Sequence, residues 1–392
     1  MMPKPLQRRK RPSLRRLRNP RHLPPPRHRQ DRRAMKTPRS VRGRGSASNP
    51  KNRFEPIERI AEPVDDNDEV PSPHTQFLTD TSKSIIAYND SPDVGFDASV
   101  NPYRGCEHGC VYCYARPTHE YLGFSSGLDF ESKIMVKEDA PDLLRKELSC
   151  SKWKPQVLAL SGVTDCYQPI EKKRQITRRC LEVLLEFRNP TVIITKNFLV
   201  TRDIDVLSEL ARYQCIGVTL SVTTLDPKLA AVMEPRASSP MRRLAAIRML
   251  SQAGIPVGYL QAPMIPGLTD SEAPAIAQAA VEAGATFAGY VALRLPFEVK
   301  SLFEQWLEQH FPERKAKVLN RIRAIRGGKL NDPNFKTRMR GEGVFAQQMT
   351  ELFQLACKKA GITKRWPELT TKHFRRPGSS QLSLFETEAS KV

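Results

Sequence analysis

The sequence predicts an α/β chain: a partial (β/α)6 TIM-like barrel with a helical C-terminal extension and a disordered basic N-terminal arm. Two observations predict the barrel. Short apolar runs rich in β-branched residues recur as "QVLALSG" (156–162), "TVIITK" (191–196), "CIGVTLSV" (215–222), "IPVGYLQAPMI" (255–265) and "TFAGYVALRL" (286–295). Helical patterns lie between them, and near-continuous apolar strands alternating with amphipathic helices mean a parallel sheet covered by helices. With a strand at about 98–103, just before a group of cysteines, there are six β/α units, fewer than the eight of a closed barrel.

Residues 1–54 read as the disordered arm. The first 50 hold 17 Lys and Arg against one acid, Asp31, and so carry +16 of the formal +21. With so few large apolar residues, burial cannot offset the entropy of ordering. The stretch is either a nucleic-acid-binding arm or an extension without function, and Met35 is a plausible start of its own. The rest of the chain carries about +5, ordinary for a soluble enzyme. Residues 55–90, with the acidic, Pro-rich "EPVDDNDEVPSP", read as a linker or surface strap.

The barrel spans 91–296. In "EKKRQITRRCLEVLLEF" Ile176, Cys180, Val183, Leu184 and Phe187 share one helical face. "SSPMRRLAAIRMLSQAG" is punctuated as a helix, with Ser239 to cap, Pro240 in the first turn and Gly254 past the end. "DSEAPAIAQAAVEAG" closes the same way at Gly284. Residues 297–363 form the helical extension, interrupted by "RGGKLNDPNF", and 364–392 form a flexible tail. No stretch approaches the roughly 18 apolar residues of a membrane span, and the N-terminus has no secretory apolar region. Eight irregularly spaced Cys fit a reducing, cytoplasmic compartment, with thiols free for metal or redox chemistry.

Three of those thiols lie in "NPYRGCEHGCVYCYARPTHEY" (101–121), spaced Cys106-x3-Cys110-x2-Cys113. A zinc site would need a fourth ligand, for which His108 or His119 stands nearby, but zinc sites pair two Cys arms and no second arm exists. Inert buried cysteine fits poorly with three in eight residues of a Gly-, Arg- and His-containing loop. An iron–sulfur cubane with an incomplete protein shell fits better: three thiolates leave one iron open. Gly105 and Gly109 let the loop wrap closely, while Arg104, His108 and backbone N–H groups are placed to donate to the sulfides.

"CEHGCVYC" resembles the CxxxCxxC signature of the radical S-adenosylmethionine (SAM) superfamily, with Tyr112 as the aromatic before the third Cys. Within it the chain is most similar to the spore photoproduct lyase-like, "DNA repair photolyase"-type branch, through "TDCYQPIE", "TKN", "RDIDVL", "SVTTLD", "MEPRA", "APMIPGLTD" and "LRLP", over roughly residues 40–360. The resemblance implies a [4Fe–4S] cluster on Cys106, Cys110 and Cys113 whose open iron chelates SAM. It also implies reductive cleavage to a 5′-deoxyadenosyl radical, hydrogen abstraction from a substrate, a flavodoxin- or ferredoxin-type reductant, and a side-open barrel. It places Tyr112 near adenine. Where the family holds the methionine amine with a Gly-Gly-Glu-like turn, this chain reads "LSGVTD", so Ser161, Gly162 and Thr164 stand there without the acid, Asp165 being the substitute. Thr195 and Lys196 end the third strand, Ser221 and Thr223 the fourth, where ribose and carboxylate bind. Arg236 suits a carboxylate or a substrate phosphate. Cys166 is the candidate hydrogen-atom donor to a product radical, set against the ordinary role of a free Cys as a small buried hydrophobe.

"QLSLF" (381–385) resembles the peptide by which bacterial repair proteins dock on the sliding clamp, with Gln381 for a polar pocket and Leu384 and Phe385 for an apolar one. Three functions follow: a radical SAM enzyme on nucleic acid, with lesion repair and lyase-type chemistry in view; the same chemistry on another substrate; or a zinc-stabilised nucleic-acid-binding protein without catalysis.

Overall fold

The computed structural model describes residues 39–55, 73–362 and 366–377. The arm upstream of Arg39, the acidic part of the predicted linker and the "QLSLF" segment lie outside the described residues. Among the described residues there are ten strands: β1 (Gln76–Thr79), β2 (Ile86–Tyr88), β3 (Ala98–Val100), β4 (Tyr103–Arg104), β5 (Lys133–Val136), β6 (Leu158–Leu160), β7 (Thr191–Thr195), β8 (Ile216–Ser221), β9 (Val257–Met264) and β10 (Phe287–Ala292). The main sheet runs β10-β9-β8-β7-β6-β3-β2. Its six strands from β3 to β10 are parallel, and β2 adds an antiparallel edge. The six β/α units expected from the apolar runs are therefore found, in an array with two open edges. Among the described residues no helix is long and apolar enough to cross a membrane.

A second, small sheet, β1-β5-β4, frames the cysteine loop. Residues 105–132 leave from β4 and return into β5, which pairs antiparallel with β4. The two mouths of the loop are thus hydrogen-bonded to each other.

Two main apolar cores lie among the described residues, and the smaller reaches into this loop. The larger unites the sheet with its helices and includes Ala346, Met349, Phe353 and Ala356 from helix Gly343–Ala360. The smaller joins Cys110, Val111 and Tyr112 of the loop to Val299, Phe303, Trp306, Val318 and Ile322 of helices Val299–His310 and Pro312–Ala324. The helical extension thus backs the cysteine loop.

The structure departs from the sequence expectations at both ends. Residues 39–55, expected within a disordered arm, pack on the body largely through hydrogen bonds of backbone and polar side chains. Gly45 N and Ser46 N donate to the Glu131 carboxylate at 3.0 and 2.9 Å, and a Cβ on Gly45 would lie 1.7 Å from Gly109 O. The 55–90 linker contains β1 and β2. Residues 366–377, expected in a flexible tail, instead cross the amino ends of the strands. Trp366 packs on Phe287 with ring centroids 4.9 Å apart, and Pro367 lies beside Gly217. Thr370 N bonds Gln214 O at 3.1 Å, Arg375 N bonds Phe187 O at 3.0 Å, and Arg376 reaches Trp153 O at 2.9 Å.

Two local expectations also change. The helix expected over 171–187 breaks at Gln175 (φ +53°). Buried Glu171 turns its carboxylate to cap the second segment, accepting from Thr177 N at 3.0 Å and Arg178 N at 3.4 Å. Ser239 begins helix Pro240–Gln252 but makes no capping bond with its side chain.

Replacing Trp366 and Phe374 together by Ala is expected to cost about 1–3 kcal/mol of folding free energy, read as a lower urea midpoint at unchanged slope.

Candidate active site

In parallel α/β arrays, chemistry collects where the strands end at their carboxyl side. The three loop cysteines lie there. Cys106 and Cys110 are buried and Cys113 is half-buried, packed against both of the others' surroundings. Burial raises the pKa of all three, pushing Cys110 up to about 12, and the charges of Cys110 and Cys113 raise Cys106 further. Three buried thiols whose ionisation the interior disfavours suit a cationic centre that reverses the penalty. Among the described residues no three or more His, Cys, Asp or Glu side chains are arranged to hold a single metal ion.

Arg116, fully buried, holds the loop in shape. Its Nε donates to Cys110 O at 2.9 Å, Nη1 to Ser126 O at 3.2 Å and Gly127 O at 2.9 Å, and Nη2 to Gly109 O at 3.2 Å and Glu131 Oε1 at 2.5 Å. All five N–H donors are therefore used. Gly109 (φ +66°) sits where a Cβ would meet Glu131 Oε2 at 2.6 Å, so only glycine fits there.

Two further carboxylates tie the loop to the strand ends. Asp165, after β6, accepts from Thr195 Oγ1 (2.7 Å) and Tyr167 N (2.9 Å) on one oxygen, and from Lys196 N (2.8 Å) and His108 Nδ1 (3.3 Å) on the other. Burial would raise its pKa, but His108 and these bonds outweigh it and hold the carboxyl at about 2. A carboxylate has about four acceptor sites and all are taken, so Asp165 braces the loop against the ends of β6 and β7.

Glu234, fully buried at the start of "EPRA", is the second hub. It accepts from Tyr112 Oη, from Thr223 Oγ1 at 2.7 Å, and from Arg243 Nη2. Burial opposes its charge, yet Arg243 and Lys196 hold it below the usual carboxylate range. Lys196 Nζ donates to Ser221 Oγ at 2.9 Å and Ala262 O at 3.2 Å, and stands 5.8 Å from the Tyr112 ring centroid. Tyr112, Lys196, Ser221 and Thr223 are thus brought together beside the thiols.

The remaining expected residues take other places. Ser161 (φ +96°) and Thr164 close a turn after β6 by a hydroxyl-to-carbonyl bond, and Gly162 O accepts from Tyr114 Oη. A non-glycine residue at that φ is strained, by about 1–3 kcal/mol, and such strain clusters at functional sites. Thr195 braces Asp165 rather than facing outward. Arg236 pairs with Glu107 at 3.0 Å and donates its N–H to His108 O, so it supports the loop. Arg104 turns to Asp80 at 2.7 Å, and the His108 ring nitrogens are engaged by Asp165 and Asn197. Both side chains are engaged by protein partners. Cys166 lies in the interior. It is fully buried in the main core with Sγ 3.7 Å from Leu160 O, the environment of a small hydrophobe.

Arg116, Glu131, Glu234 and Arg243 were not singled out from the sequence. "MEPRA" drew attention to Arg236, while the buried acid two residues earlier carries the network.

Residues 100–280 match the profile described as Radical SAM superfamily. The chain belongs to the radical SAM superfamily. It is therefore a radical SAM enzyme, of a family that uses a [4Fe–4S] cluster and SAM. An uncharacterized protein of Mycobacterium tuberculosis is 34% identical over 248 residues, 62% of this chain and 72% of that one. An uncharacterized protein of Methanocaldococcus jannaschii is 30% identical over 214 residues, 55% and 76% of the respective chains. The solved structure of spore photoproduct lyase complexed with dinucleoside spore photoproduct shares the radical SAM fold, with a TM-score of 0.53 and 15% identity over 73% of this chain and 79% of that one.

Glu131→Gln is expected to leave Arg116 charged and unpaired in the interior, at about 3–5 kcal/mol. Urea unfolding should show that loss, and the double variant Arg116→Met/Glu131→Leu should recover part of it.

Proposed function

We propose that this radical SAM enzyme acts on nucleic acid, in lesion-repair or lyase-type chemistry, with its cluster held by Cys106, Cys110 and Cys113. The observation that carries the cluster assignment is the donor set. One glycine-bent loop presents three thiols at the carboxyl ends of an open parallel array, and it holds no fourth cysteine. When bound, the cluster and SAM supply an electron and a 5′-deoxyadenosyl radical that removes hydrogen from the substrate, with the electron coming from a flavodoxin- or ferredoxin-type partner.

The chain's own residues bind and orient. Lys196 and Ser221 take the carboxylate of SAM. Tyr112, fixed by Glu234, packs against its adenine, and Thr223 shares that anchor. Ser161, Gly162 and Thr164 shape the turn to which Tyr114, next to Cys113, is bonded. Thr195 and Arg236 act indirectly, through Asp165 and Glu107.

The nucleic-acid substrate is supported by two features. One is the basic first 50 residues. The other is the fold shared with a lyase whose bound ligand is a dinucleoside photoproduct.

Anaerobic reconstitution should load about four irons and four sulfides per chain, and Cys→Ala at position 106, 110 or 113 should abolish that loading. The reduced enzyme should release 5′-deoxyadenosine and lower the lesion content of ultraviolet-irradiated DNA. Unchanged lesions during active SAM cleavage would refute the nucleic-acid substrate while leaving the cluster assignment standing. Lys196→Ala should weaken SAM binding about 10- to 100-fold, the weight of a charge-assisted hydrogen bond, measured by calorimetry on reconstituted protein.

A further inference from the structure

We propose that Phe54, Tyr121, Phe297 and Arg53 form a stacking platform for unpaired bases beside the cysteine loop, so that the enzyme takes its nucleic acid as a single strand or an opened duplex. The inference rests on the nucleic-acid reading above.

Three large rings stand in water at one place: Tyr121 is 73% exposed, and Phe54 and Phe297 are each 53% exposed. Phe54 and Tyr121 are already stacked, with centroids 4.8 Å apart and planes 26° from parallel. The Arg53 guanidinium lies 3.6 Å from the Phe297 centroid and 5.0 Å from that of Phe54, so a flat cation bridges the rings. Exposed aromatic faces interleaved with arginine bind successive bases without regard to sequence, because every base presents a π-face.

The platform is rigid rather than a loose surface. Asn52 Nδ2 donates to Glu120 O and Phe124 O, both at 2.9 Å, and its Oδ1 accepts from Phe54 N at 2.7 Å. Arg53 Nε is fixed to Glu120 Oε2 at 2.6 Å. Phe297 holds φ at +49°, a conformation bulky residues rarely adopt, with its ring in solvent. Rings pre-set in this way lose little freedom on binding.

Its place suits a substrate entering the site. Tyr121 lies on the short helix Arg116–Leu122 within the cysteine loop, just past Cys113, and Phe297 follows the carboxyl end of β10. The segment carrying Arg53 and Phe54 continues directly from the most basic part of the chain, whose charge complements phosphate rather than a second copy of this cationic protein. In an intact duplex the bases are stacked on one another and have no free face to offer these rings.

The test uses full-length reconstituted enzyme and fluorescence anisotropy with labelled oligo(dT) and a duplex of equal length. The wild type should favour the single strand. Phe54→Ala and Tyr121→Ala should each weaken single-strand binding about tenfold with an unchanged salt slope, whereas Phe54→Tyr and Tyr121→Trp should keep it. SAM cleavage without nucleic acid should stay at the wild-type rate in all four, which shows that they fold. If the Ala variants bind the single strand as the wild type does while the wild type still repairs irradiated DNA, the platform is refuted and the substrate reading survives. If the wild type neither binds single strands nor alters irradiated DNA, both fall. Sedimentation that changes with these rings while DNA binding does not would assign the patch to self-association and refute the proposal.

Discussion

A single buried ion pair organises the reactive end of the molecule. Arg116 and Glu131 are both without solvent exposure, so neither charge can be left alone without a penalty of several kcal/mol. Each spends its remaining bonding capacity on backbone: the guanidinium on four carbonyls of the loop, the carboxylate on the amides of Gly45 and Ser46. The pair therefore sets the course of the thiol-bearing chain and fastens the 39–55 segment over it. This is how a loop of glycine and polar residues is held as firmly as an apolar core.

Asp165 and Glu234 extend the same device to the sheet. Asp165 ties His108 of the loop to the ends of β6 and β7, and Glu234 ties Tyr112 to the residue just past β8 and to Arg243. Three acids with little solvent access, each accepting at least three hydrogen bonds, thus hold one short loop, and two of them hold it against three consecutive strand ends, β6 to β8. Their charge is kept by fixed partners at low solvent access, the arrangement that preorganises a site before any ligand arrives.

The parallel strands were legible because each is an apolar run bounded by turn residues, and period and composition are local properties. The small sheet was not, since β4 has two residues and β1 and β5 four each, too short to show alternation. Cys106, Cys110 and Cys113 announced themselves by spacing. Glu131 and Glu234 did not, because a buried acid differs from a surface acid only in its partners, and those partners are set by the fold. The same holds for Asp165, whose bonds to the loop and to the ends of β6 and β7 are set by the fold. The segments 39–55 and 366–377 were hidden by composition, for the first attaches largely through hydrogen bonds of backbone and polar side chains and the second through backbone bonds and a few aromatic contacts, which leave little mark on hydropathy.

The segment that crosses the amino ends of the strands has a consequence for how the chain folds. Arg376 and Cys150 meet across 226 residues of sequence, and every other contact of the segment named above is also long-range. Such pairs raise contact order, and their loop-closure entropy must be met before they return any stability. During synthesis the floor of the β/α array stays unsealed until residues 366–377 have left the ribosome, well after the strands they cross, so these residues act as its latch.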